Sequence, residues 1–165
     1  MSQAELLDDG VLVASGTPFL VMELPGEPKA KGRHRSRIGW QDGKPIVMQY
    51  PDPETVKYEA MLGKLAKALM RGRKPSPHPV CVVVHVFRSI PKSWSLRDRA
   101  DARAGRAVPA SKPDADNYLK AVGDALNEIV WEDDDQIVDA RCIKRYSDKP
   151  ALRVEIREMI HKQPV

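Results

Sequence analysis

The stretch VCVVVHVF, Val80–Phe87, restricts the fold more than any other part of the sequence. Eight consecutive residues, apolar except for His85 and rich in β-branched side chains, cannot alternate between core and water. The run is far too short to span a bilayer and has the length of a strand. It predicts an interior strand covered on both faces, and hence a sheet with helices packed against it. A lone histidine inside such a run reads as a core residue rather than a ligand.

The flanking segments supply the rest of that architecture. Asp52–Met70 predicts a helix: Asp52 can cap it, Pro53 suits the first helical position, and Glu54 favours the positive end of the dipole. Tyr58, Leu62, Leu65 and Leu69 fall on one face, and Gly72 ends the helix. Phe19–Leu24 reads as a first strand closed by Pro25-Gly26. Ile137–Tyr146 and Leu152–Glu158 alternate apolar with charged residues around a turn at Ser147–Pro150, which predicts an antiparallel hairpin. Its apolar face would carry Val138, Ala140 and Cys142 with Leu152, Val154 and Ile156. The expected class is α/β (α+β), a small mixed β-sheet with helices packed on it. The length fits one domain over residues 17–160, with a flexible extension over 1–16 and a short tail over 161–165. Cys81 and Cys142 are too few for a disulfide framework or a zinc site and read as buried thiols. No apolar run approaches membrane-spanning length, and the N-terminus lacks a basic region followed by an apolar one, so a cytoplasmic protein is expected.

Charge is unevenly distributed. Of the 23 acids, five lie in residues 1–28, which contain no Lys or Arg; the remainder sets 18 acids against all 27 bases, a formal +9. Such a body suits a polyanionic partner, nucleic acid above all. The basic residues concentrate in KAKGRHRSR, where Lys29, Lys31, Arg33, Arg35 and Arg37 occur within nine positions. This segment is expected to be a phosphate-gripping arm made flexible by Gly32, or otherwise an exposed charged loop. A loop or irregular hairpin should follow, turning at Asp42-Gly43 before Pro45–Tyr50. Pro91–Gly105 predicts a short helix capped by Ser95 and Asp98. With Lys92, Arg97, Arg99, Arg103 and Arg106 it would be either a basic flap over a substrate or a solvated helix.

Acid is concentrated in one place, KPDADNYLKAVGDALNEIVWEDDDQIV, Lys112–Val138, which holds six aspartates. Leu119, Val122, Leu126 and Ile129 form one apolar helical stripe. Asp116, Lys120 and Asp124 cluster on another side of the same helix, and Asp114 stands just before its first turn. Carboxylates brought together resist ionisation unless a cation joins them. Mg²⁺ takes oxygen ligands and keeps part of its water shell, so a few carboxylates around an open site suit it. The bland alternative is an N-cap at Asp114, exposed i,i+4 pairs along the helix, and a solvated turn at Asp133–Asp135.

The run D-x-D-N-x-x-K-x-x-x-D-A-L-N from Asp114, followed by W-x-D-D-x-Q from Trp131, then ARCIKRY and ALRVEI, resembles the RusA-like family of Holliday-junction resolvases. The resemblance extends over Phe19–Glu158. It implies a small mixed α/β fold acting as a homodimer, which cuts four-way DNA junctions by paired nicks with Mg²⁺, Mn²⁺ usually substituting. It implies that Asp114, Asp116 and Asp134 ligate the metal and that Lys120 is the essential lysine. Asn117, Asp124 and Asp133 would support them. Candidate DNA contacts are Lys29, Lys31, Arg33, Arg35, Arg37, Arg141 and Arg145. The alternatives are a catalytically inactive junction-binding module and a metal-dependent nuclease acting on other branched DNA.

Overall fold

The computed structural model of the chain describes residues 12–161. Its organising strand is β5, Val80–Ser89, whose Val80, Val82, Val84 and Val86 are all buried. Val83, His85 and Phe87 on its other face are only part-buried, so the strand is not covered on both faces and His85 is not the core residue expected. On one side β5 pairs in parallel with β6, Ile137–Ser147; on the other it pairs antiparallel with β7, Ala151–His161. The far edge of β7 is taken first by β2, Leu20–Pro25, and then by β1, Leu12–Ala14. The result is a five-stranded mixed sheet.

This order corrects the expected hairpin. The two strands exist, yet β6 and β7 are not neighbours, because β5 lies between them. Pairing β6 with β7 would have left the most apolar strand at an edge, with unpaired backbone groups. The Ser147–Pro150 connection therefore passes over the end of β5. The predicted apolar face of β6 also fails in part. Two residues of β6 advance against one of β5 between Val80 and Cys81, and the extra residue, Val138, is 59% exposed. Only Cys142 of that trio packs on the core. Part of the extension expected over 1–16 is strand: Leu12, Val13 and Ala14 pair with His161, Ile160 and Met159, covering a stretch of β7 that β2 does not reach. Residues 1–11 and 162–165 lie outside the described residues.

Helix α1, Pro53–Met70, begins as its sequence dictates: the Asp52 carboxylate accepts from the Thr55 N–H at 3.2 Å. It ends at Arg71 and Gly72, both with positive φ. Tyr58 and Leu62 are buried and Leu65 and Leu69 partly so. Helix α2, Leu96–Arg103, carries the expected cap, with Ser95 Oγ accepting from the Asp98 N–H at 3.1 Å. It is docked rather than loose: Arg103 grips Asp148 with two hydrogen bonds, of 2.7 and 3.0 Å. Helix α3, Ala115–Leu126, packs on α1 and β6. Its buried stripe is Tyr118, Ala121, Val122, Ala125 and Leu126, so Leu119 and Ile129 are at the margin and Tyr118 takes the centre. The core between helices and sheet is closed by Trp131, which is fully buried.

Strands β3, Arg35–Gln41, and β4, Lys44–Tyr50, form a separate hairpin. Asp42 and Gly43 have φ of 50° and 73°, the two-residue turn that suits twisted strands. The turn falls at Asp42-Gly43 as expected, but the hairpin is regular, not the loop or irregular hairpin expected.

Candidate active site

The acidic segment presents its side chains from two elements, α3 and the 3₁₀ turn that follows it. Asp114 stands at the capping position of α3 with extended backbone, φ −73° and ψ 152°, but its carboxylate accepts no cap hydrogen bond among the described residues. The side chain is therefore not consumed by the helix end. The loop before it is held from two strands. Lys144 of β6 donates to the Ser111 and Pro113 carbonyls at 2.8 and 2.9 Å, and Arg88 of β5 donates to the Lys112 carbonyl at 3.0 Å.

One turn further on, Asp116 and Lys120 form an ion pair at 3.2 Å, both side chains 63% exposed. Such an exposed i,i+4 pair contributes only about 0.3–0.5 kcal/mol, so it breaks at little cost when a phosphate arrives. Gly123 continues the same side of the helix, seven residues from Asp116. There the fold brings in Asp134: a methyl on Gly123 would lie 3.9 Å from each of its carboxylate oxygens.

Asp134 is fixed by its own turn. Trp131 Nε1 donates to Asp134 Oδ1 at 2.9 Å. Residues Asp134–Gln136 form a 3₁₀ turn capped by Asp133, whose Oδ1 accepts from the Asp135 N–H. Gln136 closes the box by accepting from the Asp133 N–H, and its amide donates to the Ser76 and His78 carbonyls, each at 2.8 Å. Of the three consecutive aspartates, Asp133 builds the turn, Asp135 faces solvent, and Asp134 turns toward α3.

The basic arm runs beside the start of α3, tied by a hydrogen bond from the Lys31 N–H to the Asn117 carbonyl. Several of its cations are already neutralised. Lys29 pairs with Glu54, Arg35 with Asp52 at 2.9 Å, and the Lys31 ammonium lies between Glu59 at 2.7 Å and Asp124 at 2.6 Å. Burial by itself would lower the pKa of Lys31, but its hydrogen bonds to Asp124 and Glu59 outweigh this and raise it. Burial likewise opposes ionisation of Asp52, yet the Thr55 N–H and the Arg35 guanidinium hold its carboxyl below the usual range. Asp124 is thus a tether for the arm. Arg33 and Arg37 make no ion pair among the described residues. Arg33 lines two adjoining clefts, one with Asn117, Lys120 and Asp124, the other with Lys112, Asp114 and Asn117.

Gly32 serves close approach rather than flexibility. Its N–H donates to Thr55 Oγ1, and an added Cβ would lie 2.9 Å from that oxygen and 3.0 Å from Asp52 Cβ. Arg141 and Arg145 stand apart from this cleft. They alternate with Cys142 and Lys144, which face the core and the α3 loop, and therefore point to the other side of the sheet. The Arg141 guanidinium grips Asp139 and holds that carboxyl low. Cys81 is buried and Cys142 half-buried; burial pushes both thiols up. His85 stacks on Phe87 and lies 3.9 Å from Glu155, away from α3.

Among the described residues, no three His, Cys, Asp or Glu side chains form a group able to hold a metal ion. The donor chemistry nonetheless suits a hard divalent cation: carboxylate oxygens only, Asp114 without a cap bond, and a second Asp134 oxygen beyond the one given to Trp131. Mg²⁺ keeps several waters and takes one or two carboxylates plus substrate phosphate, so it does not require a closed protein cage. Arg88 and Lys144 carry no signal in the sequence, since what marks them is contact with a loop distant in the chain.

The family model described as "Endodeoxyribonuclease RusA" matches residues 25–157, which include every one of these side chains. The chain belongs to the RusA endodeoxyribonuclease family. It is therefore an endonuclease of a family that resolves Holliday junctions and depends on divalent metal. It is also similar to the uncharacterized protein YqaN of Bacillus subtilis (strain 168), with 39% identity over 136 residues, 81% of this chain and 92% of that protein. Among the described residues no helix is long and apolar enough to cross a membrane.

Proposed function

We propose that the chain is a Mg²⁺-dependent resolvase that cuts four-way DNA junctions by paired nicks, working in the cytoplasm as a homodimer built from one nuclease domain over residues 17–160. The observation that carries this reading is the seating of Asp134, tethered by Trp131, over Gly123 on the side of α3 that bears Asp116 and Lys120. Asp114, Asp116 and Asp134 would hold the cation, with Mn²⁺ able to replace Mg²⁺. A divalent cation in such a site polarises the phosphodiester and lowers the pKa of bound water. Lys120 leaves Asp116 to meet the charge that develops on the phosphate oxygens. Arg33 and Lys112 hold the flanking phosphates, while Lys144 and Arg88 keep the Asp114 loop in place. Two copies related by a two-fold axis match the two equivalent strands of a four-way junction.

The test is a labelled synthetic four-way junction incubated with and without Mg²⁺, beside a flap and a linear duplex. Symmetric nicks in the junction alone, abolished by EDTA, are expected. A second reading, a junction-binding module without chemistry, is favoured by the absence of a closed carboxylate group among the described residues. It predicts a salt-dependent mobility shift and no product under any metal.

A further inference from the structure

The β3–β4 hairpin plays no part in the chemistry above. Its strands pair with each other, and among the described residues neither packs to a comparable extent on any other helix or strand. Cross-strand partners share a face of a hairpin. Ile38 lies opposite Val47 and Trp40 opposite Pro45, so these four residues make one continuous apolar face near the tip. Ile38, Trp40 and Val47 are 69%, 73% and 70% exposed. The other face pairs Arg35 with Tyr50, Arg37 with Met48, Gly39 with Ile46 and Gln41 with Lys44. A tryptophan at that exposure, flanked by Ile, Val and Pro, is the kind of surface a protein keeps only for a partner.

We propose that this hairpin is a wedge that enters the branch point of a DNA junction, with Trp40 stacking on the base pair laid open there. The inference rests on the junction-cleaving reading and extends it to how a junction is told from ordinary duplex. Three features favour DNA as the occupant. Of the three cations on the reverse face, Arg37 and Lys44 make no ion pair among the described residues, and the only acid within the hairpin is Asp42 in its turn, so the ribbon complements phosphate. It continues directly from the arm whose Arg33 lines the clefts beside Asp114 and Lys120, and Arg35 pins its base to Asp52 at the start of α1. Finally, Ile, Val, Pro and Trp offer almost no hydrogen-bonding groups for reading base edges in a groove. They do suit the flat faces of bases, which duplex DNA exposes only where stacking is interrupted. The six steps of strand from Arg35 to Gln41 reach about 20 Å at ~3.3 Å per residue, enough to cross a groove and reach the helix axis.

Binding is measured in EDTA, by mobility shift and fluorescence anisotropy, on a four-way junction and a linear duplex of matched length. Trp40→Ala is expected to weaken junction binding about tenfold or more, on the scale of one lost base–aromatic stack, and to change duplex binding by less than about twofold. Trp40→Phe should recover most of the loss, and sedimentation should show the oligomeric state of the wild type. Unchanged junction binding, or equal loss on both DNAs, would overturn the wedge. So would a change in oligomeric state, which would assign the face to a second copy of the chain. A wild-type protein that binds the junction no better than the duplex also overturns it. Because the readout excludes catalysis, a wild type that prefers the junction yet makes no nick in Mg²⁺ sinks the proposed activity and not the wedge.

Discussion

Asp134→Asn separates chemistry from folding. In the native protein Asp134 Oδ1 accepts from Trp131 Nε1 at 2.9 Å. Asparagine keeps an oxygen at that position, so the hydrogen bond survives with a neutral acceptor. Hydrogen bonds to charged groups contribute about 1.5–3 kcal/mol and neutral ones about 0.5–1.5, so the substitution loses about 1 kcal/mol. Relief of repulsion within Glu132–Asp135 offsets part of that. In a chain of 165 residues, 1 kcal/mol moves Tm by about 2–4 °C. The variant should therefore melt within about 4 °C of the wild type and bind a four-way junction normally. Its single-turnover nicking rate should fall by at least about 10²–10³, the scale of losing one group that stabilises transition-state charge. Nicking within tenfold of the wild type would refute the assignment of Asp134 to the metal. A fall in Tm beyond about 10 °C would show that the carboxylate is structural.

Other perturbations have equally definite outcomes. Trp131→Phe removes the N–H that holds Asp134 and leaves space in the core; unfolding should become easier by about 2–4 kcal/mol in urea, and nicking should fall more than junction binding. Gly32→Ala places a methyl against buried Thr55 and Asp52 and should cost about 1–3 kcal/mol while loosening the arm, which proteolysis within residues 29–37 would report. Lys31→Met gives a pH-dependent result. Because the folded pKa of Lys31 is raised above 10.5, its stabilisation is complete below that pH and fades as pH rises through the folded value. The Tm deficit of the variant should be constant at neutral pH and shrink in strong alkali; a deficit that does not change with pH would contradict the pairing of Lys31 with Glu59 and Asp124.

What could be read in advance was whatever local chemistry decides. Asp52-Pro53 marks the start of α1, Ser95 marks α2, and the unbroken Val80–Phe87 run marks the interior strand. Strand pairing was not legible, because alternation identifies a strand but not its neighbour; the demand of β5 for two partners overrode the short Ser147–Pro150 turn. The arm looked free because its partners, Glu54, Glu59, Asp52 and Asp124, lie 17 or more positions away. The family pattern pointed to Asp134 through Trp131 and Gln136, and the fold supplies the physical reason for both neighbours. Trp131 grips the carboxylate, and Gln136 anchors the turn to the Ser76 and His78 carbonyls.

The central claim, that Asp114, Asp116 and Asp134 carry metal-dependent cleavage of branched DNA, is tested most directly by Asp116→Asn on a labelled four-way junction in Mg²⁺. Asp116 is exposed and its carboxylate pairs only with Lys120 among the described residues, so the variant should fold and bind as the wild type does. No nicked product is the expected result. Product at a rate near that of the wild type, or wild-type cleavage that persists in EDTA, would contradict the account.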